Sequence, residues 1–208
     1  MIKRYVFDLD GTLMTGDYSK TDNYFVDIYG TQAYDLSNNM GHYLSRYERM
    51  FERYDIDTLS KYLSMKSNLP ISPRVIREWI EAMDSILDMK EEEVGTVLES
   101  LKSNDKSLVV LTNWFGRTQI PRLERAGLLD YFDEVYSGDQ VLKPHKKAYY
   151  KAAGEYNVDE VVFIGDNTDF DYIGPKSCGY DAILYDKKDI QHETIRKVKK
   201  LGEILTIE

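Results

Sequence analysis

The sequence predicts an α/β fold, a Rossmann-like parallel sheet flanked by helices, with an α-helical segment inserted after the first strand. Three observations carry this. Short runs of β-forming residues recur and each stops at a polar loop, segments of helical period lie between them, and residues 14–90 break that alternation.

Residues 2–7 read as a buried strand because Tyr5-Val6-Phe7 is apolar and β-favouring, and it stops at Asp8-Leu9-Asp10-Gly11-Thr12. The same grammar returns at 107–111 before Thr112-Asn113, at 161–164 before Gly165-Asp166-Asn167, and at 181–185 before Asp186-Lys187-Lys188. Residues 134–136 read as a further short strand. Helical period appears at 119–127, with Ile120, Leu123 and Ala126 facing inward, and at 146–156 and 172–179. Strands that alternate with helices build a parallel sheet covered on both faces, whose ligands gather beyond the carboxyl ends of the strands.

Residues 14–90 are rich in Tyr, Met and Arg and show no convincing strand. Tyr43, Tyr47, Met50, Phe51 and Tyr54 recur at helical spacing, and Ser72 before Pro73 reads as the N-cap of a helix through Trp79, Ile80, Met83 and Ile86. The segment is expected to be a helical subdomain.

At 208 residues, with 42% hydrophobic and 30% charged residues, the chain has the composition of a globular protein of one domain, or one domain with a smaller inserted one. A net charge of -9 argues against a nucleic-acid surface, which needs clustered Lys and Arg. No apolar run is long enough for a membrane span, and the N-terminal run is too short for a signal peptide. The lone Cys178 cannot form an intrachain disulfide, is read as a buried packing residue, and fits a cytoplasmic protein. Residues 187–200 are basic but interrupted by Asp189, Ile190, Glu193, Ile195 and Val198, and read as the solvated face of a last helix.

Asp8 and Asp10, one residue apart behind a buried strand, form the sharpest chemical signal, because a loop there can converge both carboxylates on one bound group. Asp8-Leu9-Asp10-Gly11-Thr12-Leu13 resembles the first motif of the haloacid dehalogenase superfamily. Leu111-Thr112-Asn113 resembles the second, Leu142-Lys143-Pro144 the third, and residues 165–171 (Gly-Asp-Asn-Thr-Asp-Phe-Asp) the fourth. The order and placement are similar to those of the phosphatase branch, phosphoglycolate phosphatase-like, with a helical cap after the first motif.

That resemblance implies a core of residues 1–13 and 91–208, a cap of residues 14–90, and hinges near 14–17 and 88–92. It implies Mg2+ held by Asp8, the Asp10 backbone carbonyl and Asp166, with Asp8 attacking phosphorus and the Asp10 side chain as acid and base. It further implies phosphate contacts from Lys143, the Thr112 hydroxyl and the N–H groups of Leu9 and Asn113, with Asp171 and Asn167 behind them. The bland readings are solvated turn carboxylates for Asp8 and Asp10, a helix cap for Asp166 or Thr112, a cap or loop brace for Asn167 and Asp171, and a surface charge for Lys143.

By resemblance, halide-removing members lack an acid at the position of Asp10, so phosphoryl transfer is expected: a Mg2+-dependent phosphohydrolase for a small-molecule phosphate monoester. A phosphomutase or pyrophosphatase on the same core is the alternative. A non-catalytic phosphate-binding scaffold is disfavoured because both acids are present. Relatives of this type imply a monomer or weak dimer. Arg46, Arg49 and Arg53 read as a solvated helix face, with a grip on an anionic leaving group as the functional alternative. Tyr18, Tyr24 and Tyr47 are open between packing and substrate contact. Trp114 either narrows the pocket mouth or stacks on a substrate, or is an exposed aromatic. His42, His145 and His192 have no metal-ligand spacing, and only His145, after Lys143-Pro144, is placed near the rim of the site.

Overall fold

The computed structural model describes residues 1–18, 21, 23–83, 86, 88–189 and 194–206. β1 (Arg4–Phe7) leads into the acidic loop and β2 (Met14–Gly16) follows it. Next come α1 (Tyr24–Tyr29), α2 (Tyr34–Asn38), α3 (Met40–Met50), α4 (Ile56–Ser67), α5 (Pro73–Ala82) and β3 (Asp88–Lys90). The chain continues through α6 (Val94–Ser103), β4 (Ser107–Leu111), α7 (Gly116–Arg125), β5 (Glu134–Tyr136) and α8 (Lys146–Ala153). β6 (Val161–Gly165), a π-helical turn (Thr168–Ile173), α9 (Gly174–Ser177), β7 (Asp181–Tyr185) and β8 (Lys197–Val198) complete it.

The sheet runs β5-β4-β1-β6-β7-β8 with every pairing parallel, which is the Rossmann-like α/β architecture expected. Alternation along the strands builds its two faces. Tyr5 and Phe7 of β1 and Leu108 and Val110 of β4 pack with Val94, Val97, Leu98 and Leu101 of α6. Val6, Val109 and Leu111 turn the other way, onto Ala148, Tyr149, Ala152 and Ala153 of α8. Phe7 is fully buried at the centre, and truncating such a ring to Ala costs about 3–5 kcal/mol.

A further apolar cluster gathers residues of α1 to α5, including Phe25, Tyr47, Leu59, Leu63, Ile76 and Trp79, and reaches Trp114, Phe115 and Leu142 on the sheet side. α5 starts as expected, with Pro73 in its first turn and the Ser72 hydroxyl accepting from the Val75 N–H, but it ends at Ala82, short of the expected Met83 and Ile86. The helices are anchored to the sheet side by backbone hydrogen bonds from Tyr54 N–H to Gly138 O at 2.7 Å and from Leu142 N–H to Glu52 O at 2.8 Å.

Several expectations are corrected. Residues 14–90 do contain strand: β2 and β3, at the two expected hinges, pair antiparallel. The helix over Tyr43 and Tyr47 stops at Met50, where Phe51 turns extended, so Tyr54 lies beyond it. In α7, Ile120 is exposed, while Gln119 and Arg122 are buried beside Leu123 because they reach Asp10 in the loop after β1. The helix expected over 146–156 ends at Ala153, and 172–179 divides between the π-helical turn and α9.

Residues 190–193, and with them His192, lie outside the described residues. The expected last helix is replaced among the described residues by β8, whose Val198 is buried against the sheet edge and whose Lys197 pairs with Asp189 at 2.6 Å. Cys178 is half-buried just beyond α9 rather than fully packed away. No helix among the described residues is long and apolar enough to cross a membrane.

Candidate active site

β1 lies mid-sheet, so its carboxyl end opens between the ends of β4 and β6, and the loops carrying Asp8, Thr112 and Asp166 meet there. The Asp8 N–H donates to Ile164 O at 2.8 Å, which continues the β1–β6 ladder to the last residue before the loop. The loop then turns at Gly11, at φ 84°, where a Cβ would stand 2.3 Å from Asp166 Oδ2. Only glycine lets the two acidic loops approach this closely. On the other side a Cβ at Gly165 would collide with the Asp171 side chain at 2.3 Å.

Lys143 is the cation of this centre. Its Nζ donates to Asp8 Oδ1 at 2.7 Å and to Asp171 Oδ1 at 2.6 Å, and the side chain is almost wholly buried. The other Asp171 oxygen accepts the Asn167 N–H at 3.0 Å, so Asp171 is occupied on both oxygens. Asn113 clamps the Lys143 backbone reciprocally, its amide donating to Lys143 O and its carbonyl oxygen accepting from Lys143 N–H, both at 2.8 Å. Asn167 caps the turn that follows, accepting from the N–H groups of Asp169 and Phe170 at 3.0 Å. That is the bracing reading for Asn167, and Lys143 is no surface charge.

Burial pushes the Asp8 carboxyl well above its ordinary range, against the pull of Lys143, and the neighbouring Asp171 and Asp166 push it the same way. Burial, then Asp171, pushes Asp166 up to about 6. Burial acts to lower Lys143, but Asp171 and Asp8 outweigh it and hold the ammonium charged. Asp8 and Asp171 thus share one lysine, and oxygens of Asp8, Asp166 and Asp171 lie within 4.8 Å of one another. This all-oxygen donor set with an excess of negative charge fits a small divalent cation.

Asp10 is held by a second group of residues, none of which the sequence reading placed there with that role. Tyr18 donates to Oδ1 at 2.5 Å, Arg122 to the same oxygen at 2.7 Å, and Gln119 to Oδ2 at 2.7 Å. Gln119 also donates to the Thr112 hydroxyl oxygen at 2.9 Å, which leaves that hydroxyl its own proton to give. Arg122 in turn pairs with Asp88 of β3 at 2.7 Å. Polar residues at two helical positions three apart, 119 and 122, were the available signal.

Asp8, Asp10, Thr112, Asn113, Lys143, Asp166, Asn167 and Asp171 line one cavity of about 550 Å3, a size that suits a small ligand. Leu9 is fully buried, so only its backbone can serve the site. The opposite wall comes from residues 40–83: Met40, Leu44, Glu48, Tyr54, Trp79 and Met83, with Trp114 between. Trp114 is buried, 5.3 Å from both the Tyr54 and Trp79 rings, and not an exposed aromatic. Its Nε1 has no partner among the described residues.

Arg46 is exposed on α3, as a solvated helix face requires, whereas Arg53 is exposed but lies beyond the end of that helix, and Arg49 crosses to Asp169 at 2.6 Å and stacks over Phe170 at 5.0 Å. None of the three lines the cavity. Tyr47 is buried, stacked on Tyr54 at 5.1 Å, and Tyr24 reaches Glu78 at 3.4 Å, so both are packing residues. His145 Nε2 lies 2.8 Å from Glu48 O, and His42 is exposed.

Comparison with known proteins bears on family and fold. The family model for haloacid dehalogenase-like hydrolases matches residues 5–185. Pyrimidine 5'-nucleotidase YjjG of Escherichia coli (strain K12) is 32% identical over 125 residues, 57% of this chain and 55% of that protein. A phosphorylated carbohydrates phosphatase of Thermotoga maritima is 28% identical over 184 residues, 86% of this chain and 82% of that protein. The chain spans 46% of a ribulose-1,5-bisphosphate 5-phosphatase of Halopiger xanaduensis and 44% of pyrimidine 5'-nucleotidase PynA of Streptococcus pneumoniae, so it covers about half the length of several curated relatives it matches. Among solved structures, the magnesium-bound HAD hydrolase YfnB of Bacillus subtilis superposes with a TM-score of 0.75 at 18% identity, over 99% of this chain and 98% of that one. An L-2-haloacid dehalogenase of Xanthobacter autotrophicus gives 0.72 at 19% identity, over 98% and 97%. Fold, ordered motifs and the family match agree, and the chain belongs to the haloacid dehalogenase-like hydrolases.

Proposed function

We propose that this hydrolase is a magnesium-dependent phosphatase of small-molecule phosphate monoesters that works through an aspartyl-phosphate on Asp8. The observation that carries the proposal is Asp8 held 2.7 Å from Lys143 with Asp10 two residues on, both carboxylates in the wall of one cavity. In this reading residues 1–13 and 91–208 are the core, and 14–90 the cap that closes over the leaving group.

An Asp8 oxygen attacks phosphorus as the ester bond breaks, and the Asp10 side chain gives its proton to the departing oxygen. Asp10 then takes a proton from the water that attacks phosphorus, so phosphate leaves and the Asp8 carboxylate returns. Lys143 offsets charge on a phosphoryl oxygen, and the Thr112 hydroxyl and the N–H groups of Leu9 and Asn113 hydrogen-bond the others. Gln119, Tyr18 and Arg122 aim Asp10. Asp8, Asp166 and the Asp10 backbone carbonyl are the groups that would hold magnesium, which when bound supplies the positive charge that lets a carboxylate approach a dianion. Asp171 and Asn167 position Lys143 and the fourth-motif loop from behind.

The dehalogenases among the structural neighbours share the fold at identities that speak for fold alone. The acid at position 10 favours phosphoryl transfer. The test is phosphate release from p-nitrophenyl phosphate, sugar phosphates, nucleotides and pyrophosphate, with magnesium and with EDTA, by wild type and Asp8→Asn. Magnesium-dependent release lost in Asp8→Asn supports the proposal. Chloride release from 2-chloropropionate without phosphate release from any ester overturns it.

A further inference from the structure

The wall facing Asp8 carries one charge that the phosphatase chemistry leaves unused. Glu48, on α3, lines the cavity, is 7% exposed, and accepts the Tyr54 hydroxyl on Oε1 at 2.8 Å. Met40, Leu44, Tyr54, Trp79, Met83 and Trp114 line the cavity with it, while the Tyr54 hydroxyl, the Asn113 amide and the charges of Lys143 and Arg49 act against the effect of its burial. The cations of the same cavity are already engaged, Lys143 by Asp8 and Asp171, and Arg122 by Asp10 and Asp88. A leaving group with a second phosphate or a carboxylate would therefore meet a buried acid and no unpaired cavity cation, in surroundings too apolar to screen the repulsion.

Resting on the phosphatase reading above, we propose that Glu48 is a substrate-binding residue that selects uncharged leaving groups bearing a hydroxyl or N–H donor and an apolar face, the chemistry of a nucleoside. Glu48 accepts that donor, and the rings of Trp79, Trp114 and Tyr54 cover the apolar face. A nucleobase offers such a donor on the edge of one flat ring. An unphosphorylated sugar offers the donors without the ring. Burial pushes the Glu48 carboxyl up to about 7, so the charge that excludes a second anion is present above that pH, where the titrations are run.

Binding tests this independently of turnover. Tryptophan fluorescence of Asp8→Asn and of Asp8→Asn/Glu48→Gln is titrated with uridine 5′-monophosphate, ribose 5-phosphate and ribulose 1,5-bisphosphate. Asp8→Asn is expected to bind the nucleotide at least about tenfold more tightly than the bisphosphate, and Glu48→Gln to shrink that ratio at least about fivefold. Preference for the nucleotide over ribose 5-phosphate supports the nucleoside. Equal binding of the two monophosphates supports the charge rule with a sugar as the source and overturns the nucleobase assignment. Bisphosphate bound by Asp8→Asn as tightly as the monophosphates overturns the proposal without reference to any Glu48 variant, as does an unchanged ratio in Glu48→Gln. Glu48→Asp, which keeps the charge, is expected to keep the discrimination. Failure of wild type to release phosphate from any ester sinks the phosphatase reading alone, because the titrations need no turnover.

Discussion

Arg122 donates to Asp10 at 2.7 Å from a nearly inaccessible position on α7, and the same nitrogen lies 2.7 Å from Asp88 of β3. One guanidinium thus joins the proposed acid and base to the ribbon through which residues 14–90 leave and rejoin the sheet. Arg122→Met strips Asp88 and Asp10 of their shared cation. Breaking a buried pair in this way costs about 3–5 kcal/mol, so the variant is expected to melt several degrees lower. With Asp10 no longer aimed, kcat is expected to fall about 10–100-fold with a smaller change in KM. Arg122→Lys is expected to recover stability better than rate, because an ammonium cannot reproduce the fork. Steady-state kinetics and thermal unfolding on the same preparations check both.

Lys143 answers two carboxylates at once. Lys143→Met is expected to lower kcat/KM by about 10²–10³-fold, the scale of losing a preorganised charge at a reacting oxygen. Asn113→Ala, which removes only the clamp on the Lys143 backbone, is expected to fall between wild type and Lys143→Met. Rate constants for p-nitrophenyl phosphate across the three proteins decide the order.

The oxygen cluster of Asp8, Asp166 and Asp171 predicts stabilisation by magnesium without any substrate. A ligand at one hundred times its Kd stabilises the folded state by about 2.7 kcal/mol. The melting temperature is expected to rise with magnesium and fall back with EDTA. Asp166→Asn is expected to abolish the rise, and a rise of the same size in that variant contradicts the proposed ligand set.

Glu48 sets a pH dependence of known sign. Its carboxyl is pushed by burial from an ordinary 4.5 to about 7, so between those values the folded protein keeps a proton that the unfolded chain has lost. Stability contributed below pH 4.5 is therefore lost as pH rises through about 7, by at most about 3 kcal/mol. Glu48→Gln keeps an acceptor for Tyr54 and has no proton to lose. Its melting temperature relative to wild type is expected to climb from pH 5 to pH 8, and a flat difference across that range contradicts the burial of a titrating acid.

The parallel sheet and the first-motif acids were legible because both are local: an apolar run must end where the acids begin, and period alone separates strand from helix. The residues around Asp10 were not. An amphipathic reading turns Ile120 inward and sends Gln119 and Arg122 to solvent, and only the tertiary approach of Asp10 and Asp88 reverses it. β2 and β3 are three residues each, too short for a period to declare itself, and exist because each supplies the other's hydrogen bonds. Glu48 sits one residue from Tyr47 on a helix face full of charge, and nothing in the sequence separates the buried acid from its exposed neighbours Arg46 and Arg49. The last strand was read as helix because its two residues follow a basic run whose apolar positions fit a helical period.

The most direct measurement is a rapid acid quench of wild type during turnover of a good substrate with magnesium, followed by mass spectrometry of the peptide containing Asp8. Aspartyl-phosphate chemistry predicts a phosphoryl group on Asp8 that is absent from Asp8→Asn, together with loss of turnover in that variant. Undiminished turnover in Asp8→Asn, with no phosphoryl group on the Asp8 peptide of wild type, would contradict it.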